Sequence, residues 1–498
     1  MSSAPSHSRS LATVFGGTAG QLVTQFLLQV VVARQFGASA DADAYQAAFL
    51  WPMSLGMVIA GGLTVAYPPA SRRYPEDDPR TRSLLPVAAV LGVAGCLPLV
   101  TLGLAFTGPL LAHTFPGLPA DRLALAERLF QVLAWNLPLA VLVGLFQAAL
   151  HARLNFVVPA IGSVLGPAVT LAITIAAAPS NGIIALAWGT VAGSLVAVLL
   201  QGAVLATASN WPTAADFADW MRPVSRLAVP SALSLLIMRV DGVVDGYVLA
   251  SDQAGCLSLW GYAQRITTPF LMLTSGVLST VAFPRLSLAA ARGPAETARE
   301  FARSLRLLQW LGLPAVAVVA LFNLPLIRDL FQRGQFTAEN AVAVAQTVGW
   351  LTGLVIGGSV AELCAKTLYA LHESRMPLVI AVFAIGITAV LKLTVVREGD
   401  LTMLAIINSC CSLGGAMVYL LLVRKRLGPA VFAGLLAPFA RCLAATLLAV
   451  TAGAGVVAMN GPLAGLTGLV AGAVVYGGSL WLTGEIGRFR EEAARDGR

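Results

Sequence analysis

Fourteen apolar stretches, each about long enough to cross the roughly 30 Å of hydrocarbon in a bilayer, follow one another along this chain and decide what it can fold into. They fall at about 12–34, 44–66, 84–112, 128–151, 156–178, 183–207, 228–250, 258–283, 304–325, 342–371, 377–396, 402–423, 434–458 and 463–484. Lipid offers no water to an exposed backbone N–H or C=O, so a spanning segment of this length is a helix, with its hydrogen bonds closed inside the segment. Composition agrees: 57% of the 498 residues are hydrophobic and 11% are charged, against about 25% charged in a soluble domain. A water-soluble enzyme is excluded. The expected fold is an all-α polytopic membrane protein with about 14 transmembrane helices and no large extramembrane domain. The polar start MSSAPSHSRS runs into a long apolar segment without a cleavage site, which reads as a first span and not as a signal peptide.

The net charge of +8 is explained by orientation. With odd-numbered spans running outward, 21 of the 32 basic residues fall on the inner side and 7 on the outer side, while Arg239, Arg265, Lys366 and Arg441 lie within spans. Such a bias sets both termini in the cytoplasm and needs no nucleic-acid partner. Two inner connections are more than turns. Residues 213–226 open on a Thr cap and put Phe217, Trp220 and Met221 on one helical face; residues 286–306 mix Ala and Leu with Arg and Glu. Both are expected as interfacial amphipathic helices or solvated linkers.

Short motifs recur at a nearly constant offset. Val65-Ala66-Tyr67-Pro68 with Ser71 returns as Val281-Ala282-Phe283-Pro284 with Ser287, and Ala149-Leu150-His151 returns as Ala370-Leu371-His372. Six spans separate the copies, an even number, so both halves insert with the same orientation as a parallel repeat. The expected organisation is an N-terminal lobe of spans 1–6 (1–212), an amphipathic linker (213–226), a C-terminal lobe of spans 7–12 (227–426), and spans 13 and 14 with a tail (427–498). Two like-oriented six-helix lobes that rock about a central cavity are the physical basis of alternating access, so a transporter is favoured.

Charge at bilayer depth costs a few kcal/mol or more, and each such group asks for a partner, water or substrate. Span 7 carries Arg239, Asp241 and Asp245; the two Asp share a face and Arg239 points elsewhere. A shift of 216 lays Asp241 and Asp245 over Gln25 and Gln29 of span 1, where Gln21, Gln25 and Gln29 form a stripe. These faces either line a shared hydrated cavity or bond helix to helix. Arg265, alone in its neighbourhood, suits a phosphate because its planar donor fork binds bidentately; pairing with Asp241 or Asp245 is the other reading. Glu362 and Lys366 stand four apart with the acid first, the order of a self-neutralising pair. No Ser, Cys or metal-ligand companion stands at useful spacing from any of the four histidines, and the C-terminal lobe has no nucleotide-binding loop. No enzyme, cofactor or metal is expected, and a gradient, the membrane potential or substrate supply must drive transport.

Several motifs carry a resemblance. Val32-Ala33-Arg34-Gln35-Phe36-Gly37-Ala38 with Asp43-Ala44-Tyr45, Tyr262-Ala263-Gln264-Arg265 with Pro269, Leu330-Phe331-Gln332-Arg333-Gly334-Gln335-Phe336-Thr337, and Leu368-Tyr369-Ala370-Leu371-His372 resemble the MurJ/MviN family of lipid-linked-oligosaccharide flippases, within the multidrug/oligosaccharidyl-lipid/polysaccharide exporter superfamily. The resemblance implies a bacterial cytoplasmic-membrane protein that moves a polyprenyl-diphosphate-linked saccharide, lipid II or an exopolysaccharide or O-antigen unit, outward. Membrane lipid and proteins of cell-wall or polysaccharide synthesis are its implied partners. It implies diphosphate binding by Arg265, and it adds Arg34 and Asp43 to the binding candidates beside Gln21, Gln25 and Gln29. Family arginines of spans 1 and 2 align with Leu22, Leu28 and Gly56, and an acid proposed to bind sodium in span 11 aligns with Lys392; an ammonium there stands in for the ion, facing Asp241 or Asp245. A cation-coupled multidrug exporter using Asp241 or Asp245 is the rival reading.

Overall fold

The structure, a computed structural model, describes residues 7–75, 78–206, 212–277, 282–321, 323–373, 375–432, 434–459 and 463–484. Among them the chain is helical and forms no strand. The first helices are α1 (His7–Phe36), α2 (Ala40–Ser71), α3 (Pro79–Ala105), α4 (Thr107–Thr114), α5 (Ala120–Leu133), α6 (Asn136–Ala152), α7 (Val157–Asn181), α8 (Ile184–Ala206) and α9 (Ala214–Leu249). They are followed by α10 (Cys256–Val277), α11 (Phe283–Arg292), α12 (Pro294–Leu321), α13 (Asn323–Phe331), α14 (Ala338–Trp350), α15 (Thr352–Ala370), α16 (Arg375–Val395), α17 (Leu401–Leu427), a 3₁₀ turn at Pro429–Phe432, α18 (Leu436–Ala458) and α19 (Ala464–Leu482).

Among the described residues, every apolar stretch of the sequence lies on one of these helices or on a pair of them. Ten helices among the described residues are long and apolar enough to cross a membrane, and up to twelve if each bent pair is one span. The expected fourteen is not reached. The stretch at 128–151 is split between α5 and α6, which meet at 40°, and that at 304–325 between α12 and α13, which meet at 66°. The stretch at 258–283 leaves the described residues after Val277, and both chain ends expected in the cytoplasm lie largely outside them.

The helices gather into two compact units, Met1–Ser258 and Leu259–Arg498. The sequence suggests a lobe boundary within 213–226, and the difference comes from α9. Thr213 caps that helix as its sequence suggests: the Asp216 N–H donates to Thr213 Oγ1 (3.4 Å) and the Thr213 N–H donates to Asp216 Oδ2 (2.8 Å). The helix does not stop at the linker, however. It runs on through Pro223 and Pro230 for 36 residues, joining the connection and span 7 into one rod. Its apolar face is divided: Met221 is 53% exposed, whereas Trp220 is fully buried, donates its indole N–H to the Arg80 carbonyl (3.0 Å), and meets the Tyr74 ring edge-on at 5.4 Å. Ser83 donates to Asp216 at 2.7 Å, a second tie to α3. The rod also packs on α2, where a Cβ on Gly62 would stand 2.6 Å from the Ala228 carbonyl oxygen.

The repeat is visible in the helix boundaries. Ala40 and Cys256, which open α2 and α10, stand 216 apart; Ala120 and Ala338, which open α5 and α14, stand 218 apart; Val157 and Arg375, which open α7 and α16, also stand 218 apart. Spans 4 and 10 are each broken in two and close with the same turn. In one copy Leu154 N–H donates to His151 O and Asn155 N–H to Leu150 O; in the other His372 N–H donates to Tyr369 O and Glu373 N–H to Leu368 O. Leu154 (φ 58°) and His372 (φ 61°) take the left-handed conformation that ends each helix. Leu150 is therefore the counterpart of Leu368, so the like letters of Ala149-Leu150-His151 and Ala370-Leu371-His372 are three residues out of structural register. In the other motif, Val281 falls outside the described residues.

Small residues set the closest approaches within the first unit. The α7/α8 contact places a Cβ on Gly193 against the Gly166 carbonyl oxygen and 2.6 Å from Thr170 Oγ1, while Thr170 donates across to the Gly189 carbonyl (3.0 Å). This is how helices pack when lipid supplies no hydrophobic drive. Gly193→Val is expected to force the pair apart at about 1–3 kcal/mol and lower the unfolding temperature in detergent, whereas Gly95→Ala, in open space inside α3, does not lower it.

Candidate functional site

The polar groups of the first unit sit on three helices. On α1, Gln21 and Gln29 are half-buried and Gln25 is exposed, with Arg34 exposed in the last turn. On α9, Arg239 is exposed, Asp241 half-buried and Asp245 buried, so the two carboxyls four residues apart turn inward together while the guanidinium two residues before Asp241 does not. On α2, Asp43 is 1% exposed. Its carboxyl accepts the Gly255 N–H at Oδ2 (2.6 Å) and the Ser258 N–H at Oδ1 (2.8 Å). Those amides belong to the turn that opens α10, whose first N–H groups have no intrahelical acceptor. The fit around this joint is close: a Cβ on Gly255, itself at φ 97°, would meet the Ala38 carbonyl oxygen at 2.9 Å, and Gly117 lies against the Ala250 carbonyl. Arg122 donates to the Asp252 carbonyl (3.0 Å) and closes the same corner. The Asp43 oxygens are thus occupied by backbone, an arrangement that positions helices. Sequence gives no sign of Gly255, Ser258 or Arg122, since their partners are over a hundred residues away.

The first unit also holds an apolar cavity of about 350 Å³ between α2 and α6, lined by Trp51, Pro52, Leu99, Phe106, Phe130 and Leu137 among others. The Trp51 indole N–H is taken by Thr114 Oγ1 (3.1 Å), so the wall presents hydrocarbon only. It suits no phosphate. Gly56, aligned with a family arginine, points at α6, where a Cβ would stand 3.2 Å from that of Ala140; a long cationic side chain has no room there. Leu22, at another such position, is 39% exposed.

In the second unit Arg265 is half-buried on α10, one turn beyond Tyr262. Tyr262 is buried in an aromatic cluster with Phe331 and Phe336, at ring distances of 6.2 and 5.5 Å. The Leu330–Thr337 motif therefore packs against the second turn of α10. Further along, Thr274 and Ser359 share a hydrogen bond of 2.6 Å that ties α10 to α15. Glu362 and Lys366 pair at 3.4 Å, as their spacing predicts, and the ammonium also sits 5.3 Å from the Phe283 ring. Lys392 is fully buried on α16, one turn from buried Thr388. Asp329 of α13 does for α19 what Asp43 does for α10, accepting the Gly465 and Leu466 N–H groups at 2.6 and 3.2 Å.

A family profile described as lipid II flippase MurJ matches residues 32–469, which is most of the chain. The chain belongs to the MurJ family. Curated relatives include the lipid II flippase MurJ of Burkholderia cenocepacia, 24% identical over 395 residues, with 76% of each chain covered. The probable lipid II flippase MurJ of Rhizobium meliloti is 27% identical over 406 residues, covering 78% of this chain and 75% of that one. Among solved structures, a lipid II flippase MurJ in an inward closed conformation superposes with a TM-score of 0.79 at 17% identity, covering 95% of this chain and 98% of that one. An inward-facing MATE family multidrug resistance transporter of the MOP superfamily reaches 0.67 at 18% identity, over 81% of this chain and 94% of that one. The fold is that of the MurJ and MATE transporters, and the match to the MurJ profile decides between the families.

Replacing Asp43 by Ala strands two backbone amides, a loss of about 1–3 kcal/mol for each buried group left unsatisfied. The expected result is a lower unfolding temperature in detergent and faster hydrogen exchange at Gly255 and Ser258, with Asp43→Asn, which keeps one acceptor oxygen, between Ala and the native residue.

Proposed function

We propose that this chain moves an undecaprenyl-diphosphate-linked saccharide, lipid II or a closely related lipid-linked oligosaccharide, from the cytoplasmic to the periplasmic leaflet by alternating access. The observation that carries this reading is the MurJ family match along residues 32–469, supported by curated relatives named as lipid II flippases. A drug exporter finds support only in the superfamily fold.

In this reading Arg265 engages the diphosphate, for which its bidentate fork is suited. Gln21, Gln25 and Gln29 donate and accept hydrogen bonds to sugar or phosphate, and Arg34 adds positive charge at the end of α1. Asp43 acts as a positioning residue through the α10 turn. Arg239, Asp241 and Asp245 on α9 and, separately, Lys392 on α16 are the charged groups whose balance changes between states, while Glu362 and Lys366 neutralise each other. Lys392 supplies a fixed positive charge where other members are proposed to use a bound cation. With the cell interior negative, an anionic headgroup gains roughly 2.3 kcal/mol per net charge per 100 mV on moving outward. That direction agrees with export, with both termini in the cytoplasm.

The test is substitution of Arg265 in a strain that depends on this chain. Arg265→Ala is expected to reduce the lipid-linked saccharide reaching the outer leaflet by about tenfold or more, the scale of a lost charge-assisted hydrogen bond. Arg265→Lys should recover part of it, since a point charge keeps attraction but loses the fork. Export unchanged by Arg265→Ala at normal protein level removes the residue from the mechanism.

A further inference from the structure

The second unit gathers α11, the start of α12, the ends of α15 and α17 and the 3₁₀ turn around one apolar core that includes Leu286, Phe301, Leu368 and Val423. Among the described residues of this end, four acids each stand beside a base: Glu296 with Arg299 at 2.5 Å, Glu300 with Arg303 at 4.0 Å, Glu362 with Lys366 at 3.4 Å and Glu373 with Arg426 at 2.9 Å. Arg285, Arg292, Arg375, Arg424 and Lys425 are all exposed and make no ion pair among the described residues. An uncompensated positive end on a membrane protein attracts anionic lipid.

The helix α11 gives that charge a shape. Leu286 is fully buried in the core and fixes which way the helix is turned, while Leu288 is 65% exposed. Arg285, Leu288 and Arg292, at i, i+3 and i+7, fall on one stripe, with the leucine between two arginines whose backbones are about 10 Å apart along the axis. α11 follows one expected span and α12 continues into the next, so this stripe lies at the level where hydrocarbon gives way to headgroups. A soluble partner has no use for an apolar side chain at that depth, whereas a phospholipid meets all three groups at once.

We propose that the Arg285–Leu288–Arg292 stripe of α11 is a binding site for an anionic phospholipid of the cytoplasmic leaflet. Arg285 and Arg292 take the headgroup phosphate through their donor forks, Leu288 enters the acyl region, and Arg424 and Lys425 add to the field without touching the lipid. The site is separate from the residues assigned to transport, and its occupancy is measurable without any substrate.

The experiment uses the full chain in detergent, incubated with phosphatidylglycerol or phosphatidylcholine, with retained lipid counted by native mass spectrometry. The unaltered chain is expected to retain phosphatidylglycerol in preference to phosphatidylcholine. Arg285→Gln with Arg292→Gln should lower phosphatidylglycerol retention about tenfold, and Leu288→Asn should lower it while leaving the charge intact. Arg299→Gln, a base already paired with Glu296, should leave it unchanged. An unfolding curve recorded on each variant separates loss of lipid from loss of fold, and the double Arg→Lys variant, which keeps both charges, should hold most of the lipid. Equal retention by the double Gln variant, equal retention of phosphatidylcholine by the unaltered chain, or displacement by inorganic phosphate as readily as by phosphatidylglycerol would each overturn the proposal, the last by assigning the charge to a free anion.

Discussion

The carboxyl of Asp43 is shut away from water and lipid alike, and it is admitted there because two backbone amides at the opening of α10 need an acceptor. A helix entering a membrane from a short turn has N–H groups that hydrocarbon cannot satisfy. Asp43 supplies that want from α2, across more than two hundred residues. The surrounding corner is organised to permit it: glycine at 255 lets the turn pass close to Ala38, glycine at 117 lets another loop approach Ala250, and Arg122 holds the Asp252 carbonyl. Asp329 repeats the device where α19 begins on Leu463, which has a left-handed backbone and gives no side-chain cap of its own. In both places one carboxyl does for a foreign helix what a local cap does in a soluble protein.

The remaining polar groups follow two patterns. Hydroxyls of Thr and Ser are spent on the carbonyl one turn back or on a neighbouring helix, as with Thr170 on Gly189 and Ser409 on Trp350. Among the charged groups, Glu362 and Lys366 neutralise each other on one helix, while Asp241 and Asp245 are drawn inward on α9. A chain that retains such groups amid hydrocarbon keeps them for work that lipid-facing leucines cannot do.

What the sequence makes legible depends on how far apart the interacting residues are. Span positions are plain because burial in lipid writes itself into twenty consecutive letters. The Thr213 cap is plain because its partner stands three residues away. The Glu362–Lys366 pair is plain for the same reason. Asp43 is picked out only through a resemblance, and its two amide partners carry no side-chain signature at all. The repeat is legible in outline, yet its phase at spans 4 and 10 is hidden: Leu154 and His372 close their helices in a conformation usually left to glycine, so the letters give no marker and like-looking Ala-Leu-His triplets suggest the wrong pairing. The bend at 134–135 has a marker in Pro138, which cannot donate to the Ala134 carbonyl, whereas the break at 351 has no proline beside it. The fate of Trp220 is hidden too, because an aromatic on an amphipathic face reads alike whether it meets headgroups or α3.

The length of α9 has a mechanical consequence. Thirty-six residues at 1.5 Å each make a rod of about 54 Å, nearly twice the hydrocarbon thickness. Its Asp241 and Asp245 lie near one tip and Trp220, clasped to α3, near the other. Pro223 and Pro230 interrupt its hydrogen-bond ladder between those ends, so the stretch that links the acids to the α3 contact is also where the helix is most easily bent.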